Sequence, residues 1–213
     1  VILTSEHFHS LMKHTAAVQA LREFLAPLFD DIRVVGYFRE QGDMCRSFYT
    51  TRLLNGETRA FDIFAKECVP ESHYYNHLRM FSLWGDTFGD DALTACIYDR
   101  QRLSGGDICS DFITLLSAIT GHQTRINTPK TAKVNESLGL KRQSLLRQIN
   151  RLFRIGSLAR QLALGALRRA TFLDGNTKAQ RASPDVFQRF DEDNRRFASR
   201  FLGHDENPFR KSS

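Results

Sequence analysis

The apolar run Val34-Val35-Gly36-Tyr37-Phe38 ends on an arginine, Arg39, turns through Gln41-Gly42-Asp43 and enters a segment of helical character that carries Ser47. A guanidinium at the end of a buried strand is costly unless something anionic waits there. The first amides of the following helix point back toward the same place with positive dipole, and a serine about one turn in adds a hydroxyl donor. An arginine fork, free amides and a hydroxyl converging on one point make a phosphate site. The same residues also allow a structural arrangement, in which Arg39 pairs with a carboxylate such as Asp43 and Ser47 faces solvent.

A second feature is electrostatic. Lys and Arg total 30 against 24 Asp and Glu, a formal net charge of +6. The excess is localised: from Ser137 to Leu173 there is no acidic residue, while Lys141, Arg142, Arg147, Arg151, Arg154, Arg160, Arg168 and Arg169 fall in the same stretch. Such a field attracts phosphates, acidic glycans, nucleic acid or an anionic lipid surface; a solvated helix face is the plain alternative. Other chemistries find less support. His73 and His77 are spaced i, i+4, but no third ligand accompanies them, and a structural role is preferred. There is no G-x-S-x-G elbow, and Cys45 beside Arg46 reads as a packed residue.

The elements that would position these groups follow from periodicity. "VILTS" reads as a buried parallel strand, and "IRVVGYF" and "ALTACIY" as two more. Between them fall helical patterns. Leu11, Val18, Leu21, Leu25 and Leu28 share one face, with Pro27 near the end, and a helix from Asp43 to Leu54 stops at Asn55-Gly56. Residues 57–73 read as loop with short helical turns. Tyr74, Leu78, Phe81 and Trp84 lie at helical spacing, and a helix capped by Asp107 closes at Gly121. Strands alternating with helices imply a parallel sheet. From Pro129 to Asn135 the chain reads as a linker. Residues 138–170 read as basic amphipathic helix broken at Gly156 or Gly165, and Ser183-Pro184-Asp185 as a helix start.

The totals are those of a globular chain. The 213 residues suffice for one domain, and 41% hydrophobic with 25% charged residues excludes a disordered chain. No apolar run reaches membrane-spanning length. Cys45, Cys68, Cys96 and Cys109 form no C-x-x-C pair, which favours a reduced, cytoplasmic setting. The chain starts without methionine on "VILTSE", as a segment cut from a longer protein would.

The stretch "VVGYFREQGDMCRSFYTTRLLNG" resembles the 3′-phosphate-binding strand and helix of PAPS-dependent sulfotransferases, where a strand ends in Arg and a Ser follows eight positions later, as Ser47 follows Arg39. It is also similar to a "YLRRQ…S.Y" segment of bacterial surface-polysaccharide sulfotransferase-like proteins. Further pieces agree in order: "W…FG" in "LWGDTFG", an aromatic and an acid closing the strand before Arg100, "DICSDF" opening a helix, and "VNESLG". The resemblance covers most of residues 1–150. It implies a P-loop-NTPase-like three-layer α/β/α fold with a parallel sheet. The N-terminal strand and loop of that fold are missing here, and the C-terminal part is helical. It divides the chain into a partial α/β core, 1–128, and a mainly helical basic extension, 129–213.

The resemblance further implies sulfuryl transfer from PAPS (3′-phosphoadenosine 5′-phosphosulfate) to a hydroxyl of a glycan or surface polysaccharide. Arg39 and Ser47 would hold the 3′-phosphate, and Lys141 and Arg142 would face the cofactor or an acidic acceptor. Glu6, or in second place His7, would be the base at the end of the first strand; the alternative is that Glu6 sits in a helix's first turn and His7 packs locally. The family's Gly/Lys-rich donor loop has no counterpart in the sequence: either the chain is a degenerate relative or, as favoured here, the loop lies upstream of Val1 and the segment alone would be inactive. The competing expectation is a non-catalytic α/β module whose basic helix binds nucleic acid or an anionic membrane. Contact of the segment 141–169 with the inner face of a membrane is compatible with both.

Overall fold

The computed structural model of the chain describes residues 1–99, 101–123, 138–169 and 184–209. The order is a short helix α1 (His7–Ser10), α2 (Thr15–Leu25), strand β1 (Val34–Phe38), α3 (Gln41–Leu54) and a short α4 (Phe61–Phe64). Then come α5 (His77–Phe88), β2 (Leu93–Ile97) and α6 (Ile108–Thr120). Four helices complete the described chain: α7 (Leu140–Leu152), α8 (Leu158–Arg169), α9 (Pro184–Arg189) and α10 (Asp191–Phe201). The protein is thus mixed α/β with a parallel two-stranded sheet. The linker at 129–135, the "VNES" part of the later motif and the Ser183 cap lie outside the described residues. No helix among the described residues is long and apolar enough to cross a membrane.

The chain forms two compact units that interleave in sequence. The first comprises Val1–Arg39, Asn76–Val134 and Asp191–Ser213. Here β1 and β2 run parallel, in register from Val34 opposite Leu93 to Phe38 opposite Ile97. A two-stranded sheet is marginal by itself, so its covering matters. Phe38 packs against the rings of His77, Phe81 and Phe197 at centroid distances of 5.2, 4.9 and 4.6 Å, which lays α5 and α10 on one face. Gly36 shares that face, and a Cβ there would come within 2.7 Å of the Phe38 ring, so the close approach requires glycine. On the opposite face the Tyr37 hydroxyl donates to Asp111 Oδ2 of α6 at 2.8 Å. Asn76 caps α5 by accepting from the Arg79 amide at 2.9 Å, and its Nδ2 donates to Asp193 at 3.0 Å. Asp107 caps α6 in the same way, and Gly121 closes it in the left-handed conformation, φ 68°.

The second unit comprises Glu40–Tyr75 and Asn135–Phe190. Cys45, Tyr49 and Leu53 form an i, i+4 stripe on α3 that is fully buried. Phe61, Phe64 and Tyr75 pack against it, and α7 to α9 close the core with Leu146, Ile149, Leu167, Val186 and Phe190. The basic segment is two helices, and the break falls at 153–157, where Gly156 takes φ 84°. Gly165 is accommodated inside α8.

Three elements differ from the sequence expectation. "VILTS" is irregular and exposed rather than a buried strand, because among the described residues neither β1 nor β2 offers its backbone a ladder. The face assigned to Leu11 through Leu28 shrinks to Val18 and Leu25, with Leu21 half-buried. His14 is extended and breaks the register to Leu11, which is exposed; Pro27 lacks the amide that would continue α2 toward Leu28. Tyr74 precedes α5 instead of joining it, because Asn76 starts the helix, and Tyr74 packs on Phe48 at 4.8 Å.

Candidate functional site

Ligands of parallel sheets gather beyond the carboxyl ends of the strands, and Arg39 stands at that end of β1. Two of its contacts help to fix it. Its carbonyl accepts from Nε2 of His77, 2.8 Å away, and its guanidinium lies over the Tyr98 ring at 5.7 Å from the centroid. Tyr98 is itself anchored, its amide donating to the Phe38 carbonyl at 2.7 Å. The arginine is half-buried, held by the first residue of α5 and by the residue that follows β2.

His77 is buried in this contact, and burial lowers its pKa to about 4, with the field of His9 acting in the same direction. The ring is neutral at pH 7, with the proton on Nε2 and donated to Arg39. Helical i, i+4 spacing does not apply to His73 and His77: His77 begins α5, and His73 precedes the helix. The α1 turn lies along α5, with Phe8 edge-on to Trp84 at 5.8 Å and His9 near His77. Glu6 stands at the N-cap of α1 with no side-chain capping bond, and Glu6 and His7 are both exposed. Tyr37 and Asp111 form a second polar pair in this unit. Burial first, then the hydrogen bond to Asp111, pushes the Tyr37 hydroxyl well above its ordinary range.

The remaining candidates belong to the second unit. Ser47 is exposed on the second turn of α3, one turn beyond the stretch that was to offer free amides. Those amides are taken. The Glu40 carboxylate accepts from the Gly42 and Asp43 N–H groups, each at 2.8 Å, and so caps the helix and neutralises its positive end. Asp43 is ion-paired with Arg46. The expected converging donor set at this helix end is thus corrected: an acid of the chain itself fills the amide position. The E-x-x-D sequence at 40–43 held this signal, since Glu40 lies directly before the helix. Lys141 and Arg142 lie in the first turn of α7, which has no acidic residue and no side-chain cap, so two cations stand at the positive end of a helix.

Much of the basic run is structural. Arg160 is buried, its guanidinium donating to Asn150 Oδ1 at 3.0 Å and the Leu54 carbonyl at 2.8 Å. Asn150 in turn donates to the Leu53 and Glu57 carbonyls at 2.8 Å each, which ties α7 and α8 to the end of α3. We expect Arg160→Leu to cost about 2 kcal/mol, the loss of charge-assisted bonds to buried acceptors. In urea unfolding this shifts the midpoint with no change of slope; an unshifted midpoint would show the bonds to be dispensable. A groove lined by Leu78, Ser82, Arg196, Ser199 and Arg200 contains none of the candidate residues. Its Arg200 is bound to Asp86 and Asp90 at 2.7 and 2.9 Å.

No family model, curated protein or solved structure matches the chain.

Proposed function

We propose that the chain is a PAPS-dependent sulfotransferase acting on a hydroxyl of a glycan or surface polysaccharide, built on a P-loop-NTPase-like three-layer plan. The observation that carries this reading is Arg39. It lies just past a parallel strand, its backbone carbonyl bound by His77 and its guanidinium over the Tyr98 ring. A fork so fixed suits the 3′-phosphate of PAPS, since planar double hydrogen bonding rewards a pre-set orientation. Ser47, Lys141 and Arg142 are the further donors that the sequence resemblance implies.

When bound, PAPS supplies the sulfuryl group and leaves as adenosine 3′,5′-bisphosphate. Glu6 takes the proton of the acceptor hydroxyl as its oxygen bonds to sulfur, with His7 next in line for that role. Exposure of both on α1 leaves room for a large acceptor such as a polysaccharide end.

The test is a transfer assay on the full-length protein with PAPS and polysaccharide acceptors, following release of adenosine 3′,5′-bisphosphate. We expect release that depends on acceptor and fails with adenosine 5′-phosphosulfate, which lacks the 3′-phosphate. Release that ignores the acceptor, or binding of polyanions that needs no nucleotide and collapses with salt, would contradict the proposal.

A further inference from the structure

The helix α8 carries its polar and apolar groups in an unusual order. Its Arg160 is buried, while Leu158 and Leu162, one turn apart on the same helix, face solvent. Leu152 at the end of α7 and Ile155 in the connecting turn do likewise. The exposures of Leu152, Ile155, Leu158 and Leu162 are 76, 64, 71 and 67%. The turn does not hang free: Ile155 lies against Gly56, where any side chain would collide with it, and Arg160 binds the carbonyl of Leu54, itself exposed. Large aliphatic side chains held outward in one place mark a surface that something covers.

Charge decides what. Arg151 and Arg154 are exposed among these leucines, and the whole stretch from Ser137 to Leu173 contains no acid. The carboxylate of Glu57 is already bound by the Arg59 guanidinium at 2.8 Å. A second copy of the chain meeting this surface about a two-fold axis would set the arginines against themselves with no acid between. Nucleic acid would satisfy the arginines and leave the leucines in water. An anionic bilayer satisfies both, because aliphatic side chains enter the acyl boundary while arginine stems reach back to the phosphates.

We propose that the α7–α8 turn docks on the surface of an anionic lipid bilayer, inserting Leu152, Ile155, Leu158 and Leu162 with Arg151 and Arg154 at headgroup level. This does not rest on the sulfotransferase reading. It is tested by flotation of the whole chain with phosphatidylcholine vesicles, with and without phosphatidylglycerol. Binding is expected only with the anionic lipid, weakening as salt is raised. Replacing both Leu158→Ser and Leu162→Ser should lower binding by tenfold or more, and Arg154→Gln by about fivefold. All three side chains are exposed, so the unfolding midpoint should not move. As a gain of signal, Leu162→Trp should show blue-shifted emission on anionic vesicles. Indifference to the vesicles, or vesicle binding that ignores both leucine changes, would overturn the proposal. So would a dimer that the leucine changes abolish, or duplex DNA binding stronger than vesicle binding. Transfer to a soluble acceptor should survive the leucine changes, which separates this outcome from that of the catalytic proposal.

Discussion

Glu6→Gln should lower sulfuryl turnover by about 10²–10⁴-fold, the usual contribution of a positioned base, while leaving nucleotide affinity nearly unchanged. The substitution is isosteric, and the Glu6 side chain makes no capping bond in α1, so a structural penalty is not expected. Position supports the role: α1 is pinned along α5 by Phe8 on Trp84, and His9 stands near the ring that holds Arg39. Should the glutamine variant keep its rate, the base passes to His7, and His7→Ala then carries the loss. Steady-state rates at saturating PAPS decide between them. Full turnover in both variants would remove α1 from the chemistry.

A second large effect concerns acid. His77 has a folded pKa of about 4, below its ordinary value of 6.5, because burial disfavours the imidazolium. The unfolded chain therefore takes up the proton first. The stability tied to neutral His77 is complete above about pH 6.5 and is lost as pH falls from there toward 4. Between pH 7.5 and 4.5 this one residue should account for about 2.5 kcal/mol of lost stability. His77→Gln can still donate to the Arg39 carbonyl but does not titrate. Its denaturation midpoints at the two pH values should differ by that much less than those of the unchanged protein. Equal acid loss in both would mean that His77 is hydrated and ordinary.

The groups that the residue pattern revealed and those it hid differ in a physical way. Strand β1, helix α3 and the Asp107 and Gly121 ends of α6 follow from local signals: β-branched runs, i, i+4 stripes, caps and left-handed glycine. The position of Arg39 past a strand is equally local. What was not legible depends on partners distant in sequence. The aliphatic "VILTS" has strand propensity, but a strand exists only with a neighbour, and none of the described residues supplies one. A structural role for His77 follows from the missing third ligand, but spacing reveals neither its burial nor its partner, a backbone carbonyl 38 positions earlier. The basic run reads as an amphipathic helix with a break, without showing which arginines are structural. Whether a given arginine turns inward, as Arg160 does, depends on carbonyls at the end of α3, about a hundred residues away. Glu40 is the opposite case: its cap is local, and its carboxylate occupies the amides that a phosphate would need.

The central claim is that Arg39 holds a 3′-phosphate, and calorimetric titration of two nucleotides tests it most directly. Charge-assisted bonds from the guanidinium are worth about 1.5–3 kcal/mol, so Arg39→Ala should weaken adenosine 3′,5′-bisphosphate by about tenfold or more. Adenosine 5′-phosphate should be barely affected. Arg39→Lys should recover only part of the loss, since lysine brings charge without the planar fork. A selective loss of the bisphosphate is the predicted result. Equal losses for the two nucleotides, or no binding of either by the unchanged full-length protein, would contradict the account and leave Arg39 as a structural residue stacked on Tyr98.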